Sequence, residues 1–84
     1  MNHLANSKFW YCYRRLPKAV RQLADKNFSL LRNNPSHPSL RLKKVRGELW
    51  SVRVGLHYRA LAIEQPDGLY WFWIGPHDEY DALI

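Results

Sequence analysis

The sequence is short of cysteine, of long apolar runs and, over its first half, of acidic residues. A single cysteine, Cys12, excludes an internal disulfide and leaves no Cys/His framework for a metal. No apolar run reaches the length of a membrane-spanning helix, and residues 1–8 lack the apolar core of a secretion signal. We therefore expect a single domain over residues 1–84, soluble and cytoplasmic, with no cofactor, no metal and no membrane partner.

Basic residues are concentrated where the acids are scarce. Residues 1–46 hold eleven Lys or Arg against one acid, Asp25, whereas residues 47–84 hold Arg53 and Arg59 against six acids. Such a basic half favours a polyanion or an acidic protein as partner. The alternative is that these cations are only the solvated face of amphipathic helices.

Apolar residues recur at helical spacing in the first third of the chain. Asn6 or Ser7 is placed to cap a helix over roughly 7–15. Pro17 suits the first position of a second helix over roughly 17–33, which an Asn-Asn-Pro sequence ends. The two helices are predicted to form a hairpin.

From residue 40 onwards the apolar period changes to two, as in half-buried strands. Short turns at 46–48, 55–56 and 64–68 separate the alternating segments, and their lengths are those of hairpins. We therefore predict an α+β fold, in which the N-terminal helix hairpin packs on a four-stranded antiparallel meander sheet. The last residues, 80–84, are expected to form one helical turn or an extended tail.

Hairpin lengths fix the register, and the register assigns side chains to faces. A three-residue loop at 46–48 and a two-residue loop at 55–56 put one set of side chains under the helices: Leu40, Leu42, Trp50, Val52, Val54, Leu61, Ile63, Trp71 and Trp73. The open face then carries Arg41, Lys43, Ser51, Arg53, Tyr58, Ala60, Ala62, Tyr70, Phe72 and Ile74. A slip of one residue would exchange the faces.

Residues 69–81 pass from an apolar strand through Gly-Pro into the polar tail HDEYD. Titratable groups that follow a central strand are rigidly mounted, as in many functional sites. His77 suits a general acid or base, with Tyr80 in support, and Arg53 and Lys43 suit a phosphate. These groups are the ones that metal-free RNA cleavage needs, and exposed aromatic rings such as those of Tyr58, Tyr70 and Phe72 would stack on bases.

Several of these residues also have a structural interpretation. His77 is the type of residue that caps a helix or lies at the edge of a core, and Arg59 falls on the predicted core face, as a buried or stacked arginine does. Asp78, Glu79 and Asp81 are interpreted as orienting or solvated groups. Cys12 has no activating histidine nearby, so a thiol nucleophile is not expected.

Three segments, NPSHPSLRLKKV, LWSVRVGLHYRALA and YWFWIGPHDEYDALI, resemble the RelE/ParE superfamily of bacterial type II toxins, and the resemblance extends over residues 9–84. It implies a microbial-ribonuclease-like fold of two helices on a curved antiparallel sheet. RelE itself begins with a strand, but residues 1–8 here are too short and polar to predict one. RelE-type members cleave messenger RNA, often on the ribosome.

The resemblance also implies roles for particular residues. Lys43 or Lys44 would be the basic residue of the first strand, Arg53 the arginine of the second, and His77 the tail residue of the YafQ and HigB branches, with Tyr80 behind it. RelE carries an arginine near the position of His77. The remaining expected RNA contacts are Arg41, Arg59 and Tyr58.

The sequence therefore predicts a toxin of a type II toxin–antitoxin pair, acting as a metal-independent endoribonuclease on messenger RNA, on or off the ribosome. The first alternative is a ParE-like inhibitor of DNA gyrase with no catalysis. The second is an inactive member kept as a binding module. Under all three, an acidic antitoxin is the expected protein partner.

Overall fold

A computed structural model describes residues 2–84. The elements in chain order are β1 (Asn2–Ala5), α1 (Ser7–Arg14), α2 (Lys18–Asn33), β2 (Lys43–Arg46), β3 (Leu49–Val54), β4 (Tyr58–Gln65), β5 (Gly68–Pro76) and α3 (His77–Leu83). One sheet holds all the strands in the order β1-β5-β4-β3-β2. The predicted α+β class is confirmed, and β2 to β5 form the predicted antiparallel meander.

The sheet has five strands rather than the predicted four, because β1 adds to its edge. β1 runs parallel to β5, from Asn2 opposite Gly68 to Ala5 opposite Trp71. The Trp71 indole N–H donates to Nδ1 of His3 at 3.1 Å. A parallel partner so distant in sequence leaves no hairpin signal, which is why the sequence pattern missed this strand.

Both predicted helices are present. Asn6 caps α1, since its side-chain oxygen accepts the backbone N–H of Phe9 at 2.9 Å. Pro17 precedes α2, as its fixed φ favours. The Tyr13 hydroxyl on α1 donates to Asp25 on α2 at 2.7 Å and so links the two helices. In the part of the chain described, no helix is long and apolar enough to cross a membrane.

The main core lies between these helices and one face of the sheet, called here the helix-side face. Its buried members are Leu16, Ala24, Leu31, Leu40, Val52, Val54, Ala60, Ala62, Leu69, Trp71 and Ile74. The other face, called the open face, carries a smaller buried cluster of Leu61, Trp73 and Tyr80. Tyr80 belongs to α3, so this short helix packs on the open face.

The predicted register of β4 was wrong by one residue. Val54 pairs with Tyr58, so the loop between β3 and β4 has three residues, 55–57, instead of two. Gly55 begins it with φ +65°, a conformation that favours glycine. The extra residue exchanges the faces of β4: Ala60 and Ala62 pack with the helix-side core, and Leu61 turns to the open face.

A β-bulge in β5 alters the predicted faces a second time. Leu61 pairs with Trp73 and Ala62 with Trp71, so Phe72 is an additional residue without a partner of its own. Beyond the bulge the alternation is shifted. Trp73 therefore lies on the open face and Ile74 on the helix-side face, the reverse of the prediction.

Candidate nucleic-acid interface on the open face

Arg53 and Arg59 are brought together on the open face. They pair directly across β3 and β4, so their side chains project from the same face. Arg53 donates from Nε to the Gly55 carbonyl at 3.1 Å, and Arg59 donates from Nη1 to the Tyr58 carbonyl at 3.0 Å. Each guanidinium has five N–H donors, so most remain available to a ligand.

The acids of the chain do not neutralise this arginine pair. Within residues 2–84 the ion pairs are Lys44 with Glu64 and His77 with Asp81, so neither guanidinium has a carboxylate partner. Like charges directly opposite on a sheet are destabilising. Two adjacent unneutralised arginines are therefore better suited to binding an anion than to stabilising the fold.

The C-terminal tail joins the same site through Tyr80. The Arg59 guanidinium carbon lies 5.9 Å from the centre of the Tyr80 ring, and the His77 ring centre lies 5.8 Å from that of Tyr80. The backbone N–H of His77 donates to the His57 carbonyl at 2.8 Å, which anchors the start of α3 beside β4. The structure thus brings together Arg53, Arg59, Tyr80 and His77.

His77 is oriented by an acid one helical turn later. Its Nδ1 lies 3.1 Å from a carboxylate oxygen of Asp81, and its side chain is 40% exposed. When Nδ1 donates to this carboxylate, Nε2 carries the lone pair of the neutral ring and can accept a proton. Asp81, interpreted from the sequence as an orienting or solvated group, thus contacts His77 while its own side chain stays largely exposed.

Lys43 and Arg41 lie at the other side of Arg53. Lys43 pairs with Ser51 and is exposed on the open face. The backbone N–H of Arg53 donates to the backbone carbonyl of Leu40 at 2.7 Å. This bond holds the segment before β2 against β3. Arg41 has φ +47°, an uncommon value for a residue with a side chain, and is exposed.

Two of the sequence-predicted RNA contacts lie away from the open face. Lys44 pairs with Trp50 on the helix-side face, and its Nζ lies 3.4 Å from Glu64. The Trp50 indole N–H and the Lys44 ammonium hold the pKa of Glu64 below its usual value. Tyr58 packs against the helix-side core because of the shifted register.

Sequence reasoning missed the apolar platform of this site. Leu61 and Trp73 lie under Tyr80 on the open face, whereas the pattern placed both under the helices. The third residue of the loop between β3 and β4 exchanges Leu61, and the bulge in β5 exchanges Trp73; neither event has a signature in the two-residue alternation.

A second surface feature lies on the opposite side of the molecule. An apolar cavity of about 250 Å³ opens there, and its lining includes Trp10, Phe28 and Leu31 together with the linked pair Tyr13 and Asp25. The hydrogen bond that Tyr13 donates to Asp25 raises the pKa of Tyr13. The rings of Trp10 and Phe28 remain 44% and 42% exposed, so this cavity presents an apolar surface.

Comparison with known proteins places this architecture among bacterial and archaeal toxins. Residues 18–82 match the family model described as a ParE-like toxin domain. The RelE of a RelB-RelE antitoxin-toxin complex from Methanococcus jannaschii shares 20% identity at a TM-score of 0.73, with 96% of this chain and 99% of that chain covered.

Two further solved structures share the fold. YafQ from E. coli has 12% identity and a TM-score of 0.73, with 94% of this chain and 96% of that chain covered. The YoeB/ParE toxin from Agrobacterium tumefaciens has 14% identity and a TM-score of 0.67, with coverage of 92% and 99%. No curated protein matches the sequence.

Proposed function

Because this chain belongs to the ParE-like toxin domain family, we propose that it is the toxin of a toxin–antitoxin pair and a metal-independent endoribonuclease of messenger RNA. One observation carries the proposal: Arg59, one of the unneutralised pair Arg53–Arg59, and His77 lie 5.9 Å and 5.8 Å from the ring centre of Tyr80, on a face that α3 covers only in part. An RNA phosphate is an anion that two guanidiniums bind well, and an adjacent imidazole supplies the proton transfer that cleavage needs.

The proposed reaction is transesterification. Nε2 of neutral His77 takes the proton of the ribose 2′-OH, and the 2′-oxygen bonds to phosphorus as the bond from phosphorus to the 5′-oxygen breaks. Lys43 donates a proton to the departing 5′-oxygen. Arg53 and Arg59 stabilise the charge that develops on the pentacoordinate phosphorus. The products are a 2′,3′-cyclic phosphate and a 5′-hydroxyl, and no oxidant or hydrolytic water is consumed in this step.

Mapping of RNA 5′ ends after induced expression tests the proposal. We expect new ends in messenger RNA with the wild type, none with His77→Ala, and wild-type levels with His37→Ala. His37 is a suitable control because it lies in the loop before β2 and is held by Ser39. If His77→Ala and Arg53→Ala both left toxicity unchanged, the site assignment would be wrong.

A second candidate is a non-catalytic inhibitor of DNA gyrase. Two observations favour it: the matching family model is ParE-like, and Tyr80 is only 5% exposed, as a core residue would be. A supercoiling assay with purified gyrase separates the candidates. Loss of supercoiling while messenger RNA stays intact would support the gyrase inhibitor and contradict the ribonuclease.

The proposed protein partner is an acidic antitoxin. RelE of Methanococcus jannaschii was solved as an antitoxin–toxin complex. Here α1 and α2 carry many cations around the exposed rings of Trp10 and Phe28, which suits an acidic segment with apolar anchors. Co-purification with the product of the adjacent reading frame, and its loss in Phe28→Glu but not in Phe28→Leu, would test this assignment.

A further inference from the structure

A groove lies further along the open face, beyond the arginine pair. It measures about 490 Å³, and its lining is formed by Asn6, Ile63, Gln65, Asp67, Tyr70 and Phe72. Tyr70 and Ile63 pair across β5 and β4, and Phe72 is the additional residue of the bulge. Tyr70 and Phe72 are two residues apart on β5, so strand alternation places both rings on this face, and the longer loop between β3 and β4 brings Ile63 to the same face.

The chemistry of the groove suits a flat, polar-edged ring. Tyr70 and Phe72 are both half-buried, so each keeps part of its ring accessible. The Tyr70 hydroxyl donates to Asp67 at 2.9 Å, which fixes the ring and raises the pKa of Tyr70. The side-chain oxygen of Asn6 is used to cap α1, so its amide N–H groups remain as donors at the edge.

The groove lies on the same face of the sheet as the arginine pair. Ile63 lies four residues after Arg59 on β4 and on the same face. At the usual rise per strand residue this is about 13 Å, the reach of a neighbouring part of one RNA strand. The Lys8 ammonium lies 5.8 Å from the centre of the Phe72 ring and adds a cation for a backbone phosphate beside the groove.

We propose that this groove holds one unpaired nucleobase of the RNA strand whose phosphate is bound by Arg53 and Arg59. The base stacks on Tyr70 or Phe72, and Asn6, Gln65 and Asp67 meet its polar edge. The inference rests on the proposed ribonuclease function and deepens it, because it identifies the substrate as single-stranded at this position. Aromatic platforms beside a cationic track are the means by which proteins hold single strands.

Binding of oligonucleotides that resist cleavage tests the groove separately from catalysis. The probe is a fluorescently labelled single-stranded RNA with 2′-O-methyl riboses, which has no attacking 2′-OH. A series of such probes carries an abasic site at each position in turn. We expect one position at which loss of the base weakens wild-type binding about tenfold, the usual size of one stacking contact.

Variants then assign that position to the groove. Tyr70→Leu and Phe72→Leu should weaken binding of the intact probe about tenfold. Removing the base at the sensitive position should then weaken probe binding by these variants little further. Phe28→Leu is the matched control: its ring is also exposed and carries a cation, Arg32, at 5.7 Å, but it lies on α2. It should bind as the wild type does.

The other outcomes distinguish failure of the groove from failure of the ribonuclease. If the two groove variants kept the full abasic effect, or bound no worse than Phe28→Leu, the groove would not hold a base. Wild-type binding with the expected abasic pattern but no cleavage of unmodified RNA would overturn the ribonuclease and leave the groove standing. No binding of single-stranded RNA by the wild type would overturn both.

Discussion

Arg53 and Arg59 face one another across β3 and β4, and no carboxylate within residues 2–84 neutralises either of them. Like charges opposite on a sheet cost about 0.2–1 kcal/mol relative to neutral pairs. A stacking contact of Arg59 over Tyr80 returns a similar amount, about 0.5–1 kcal/mol. The fold therefore gains little from this pair, which agrees with the anion-binding role proposed for it.

Replacing Arg59 should consequently separate stability from function. In Arg59→Gln, relief of the repulsion offsets loss of the stacking contact, so the free energy of unfolding should change by less than about 0.5 kcal/mol. RNA binding should nevertheless weaken clearly. Urea unfolding and probe binding measure the two effects, with Arg32→Gln on α2 as control. A large loss of stability would show instead that Arg59 is a structural arginine.

Lys43 and Lys44 are adjacent in sequence but lie on opposite faces of β2, which gives a matched pair for salt dependence. Each phosphate contact on single-stranded RNA contributes about 0.7 to the slope of log affinity against log salt concentration. Lys43→Gln should reduce that slope by about this amount, and Lys44→Gln should leave it unchanged. Equal slopes in both variants would contradict the assignment of the open face.

Acid should weaken the edge strand through His3. Burial lowers the pKa of His3 below its usual 6.5, and the charge of Arg32 acts in the same direction. The fold therefore favours the neutral ring, which accepts the Trp71 N–H. This contribution to stability is fully present above pH 6.5 and is lost as the pH falls through the lowered pKa.

The measurement is the free energy of urea unfolding of the wild type and of His3→Gln, taken above pH 6.5 and then in steps below it. Glutamine can also accept the indole N–H, but it does not titrate. The wild type should lose stability relative to this variant on acidification. A difference that stays constant with pH would show that His3 does not hold β1.

Gly68 should be essential for the pairing of β1. It has φ +153°, and a Cβ there would overlap the backbone carbonyl of Asn2. Gly68→Ala is expected to destabilise the fold by more than about 1 kcal/mol and to remove hydrogen-exchange protection from β1 in particular. Gly47→Ala is the control, because Gly47 also has a positive φ, of +51°, but no heavy atom lies within 4 Å of its Cβ position. It should leave β1 protected.

The sequence predicted the elements well and the sheet faces only in part. Helix caps, turn residues and the period of two are local signals, so α1, α2 and the strands of the meander were found. The register depends on two single additional residues that the hydrophobic periodicity does not reveal. They are the third residue of the loop before Tyr58 and the bulge residue Phe72. β1 depends on a partner far along the chain.

The same events decided how much of the site was predicted. His77, Arg53 and Lys43 do not depend on the misjudged register, and they lie where the pattern placed them. Arg59 was assigned to the core face and Tyr58 to the open face, and the shifted loop exchanges both. The sequence placed Tyr70 and Phe72 of the groove on the open face but assigned Ile63 to the helix-side face, because the third residue of the loop before β4 has no signature in the amino-acid pattern.

The proposed function requires the open face to cleave RNA by means of its own side chains. The most direct measurement is incubation of the purified chain with messenger RNA in EDTA, with and without ribosomes, followed by analysis of the fragment ends. We expect fragments with 2′,3′-cyclic phosphates and 5′-hydroxyls from the wild type and from Arg32→Gln, and none from Arg59→Gln or His77→Ala. Intact RNA under both conditions, together with inhibition of gyrase supercoiling by the same preparation, would contradict the proposed function.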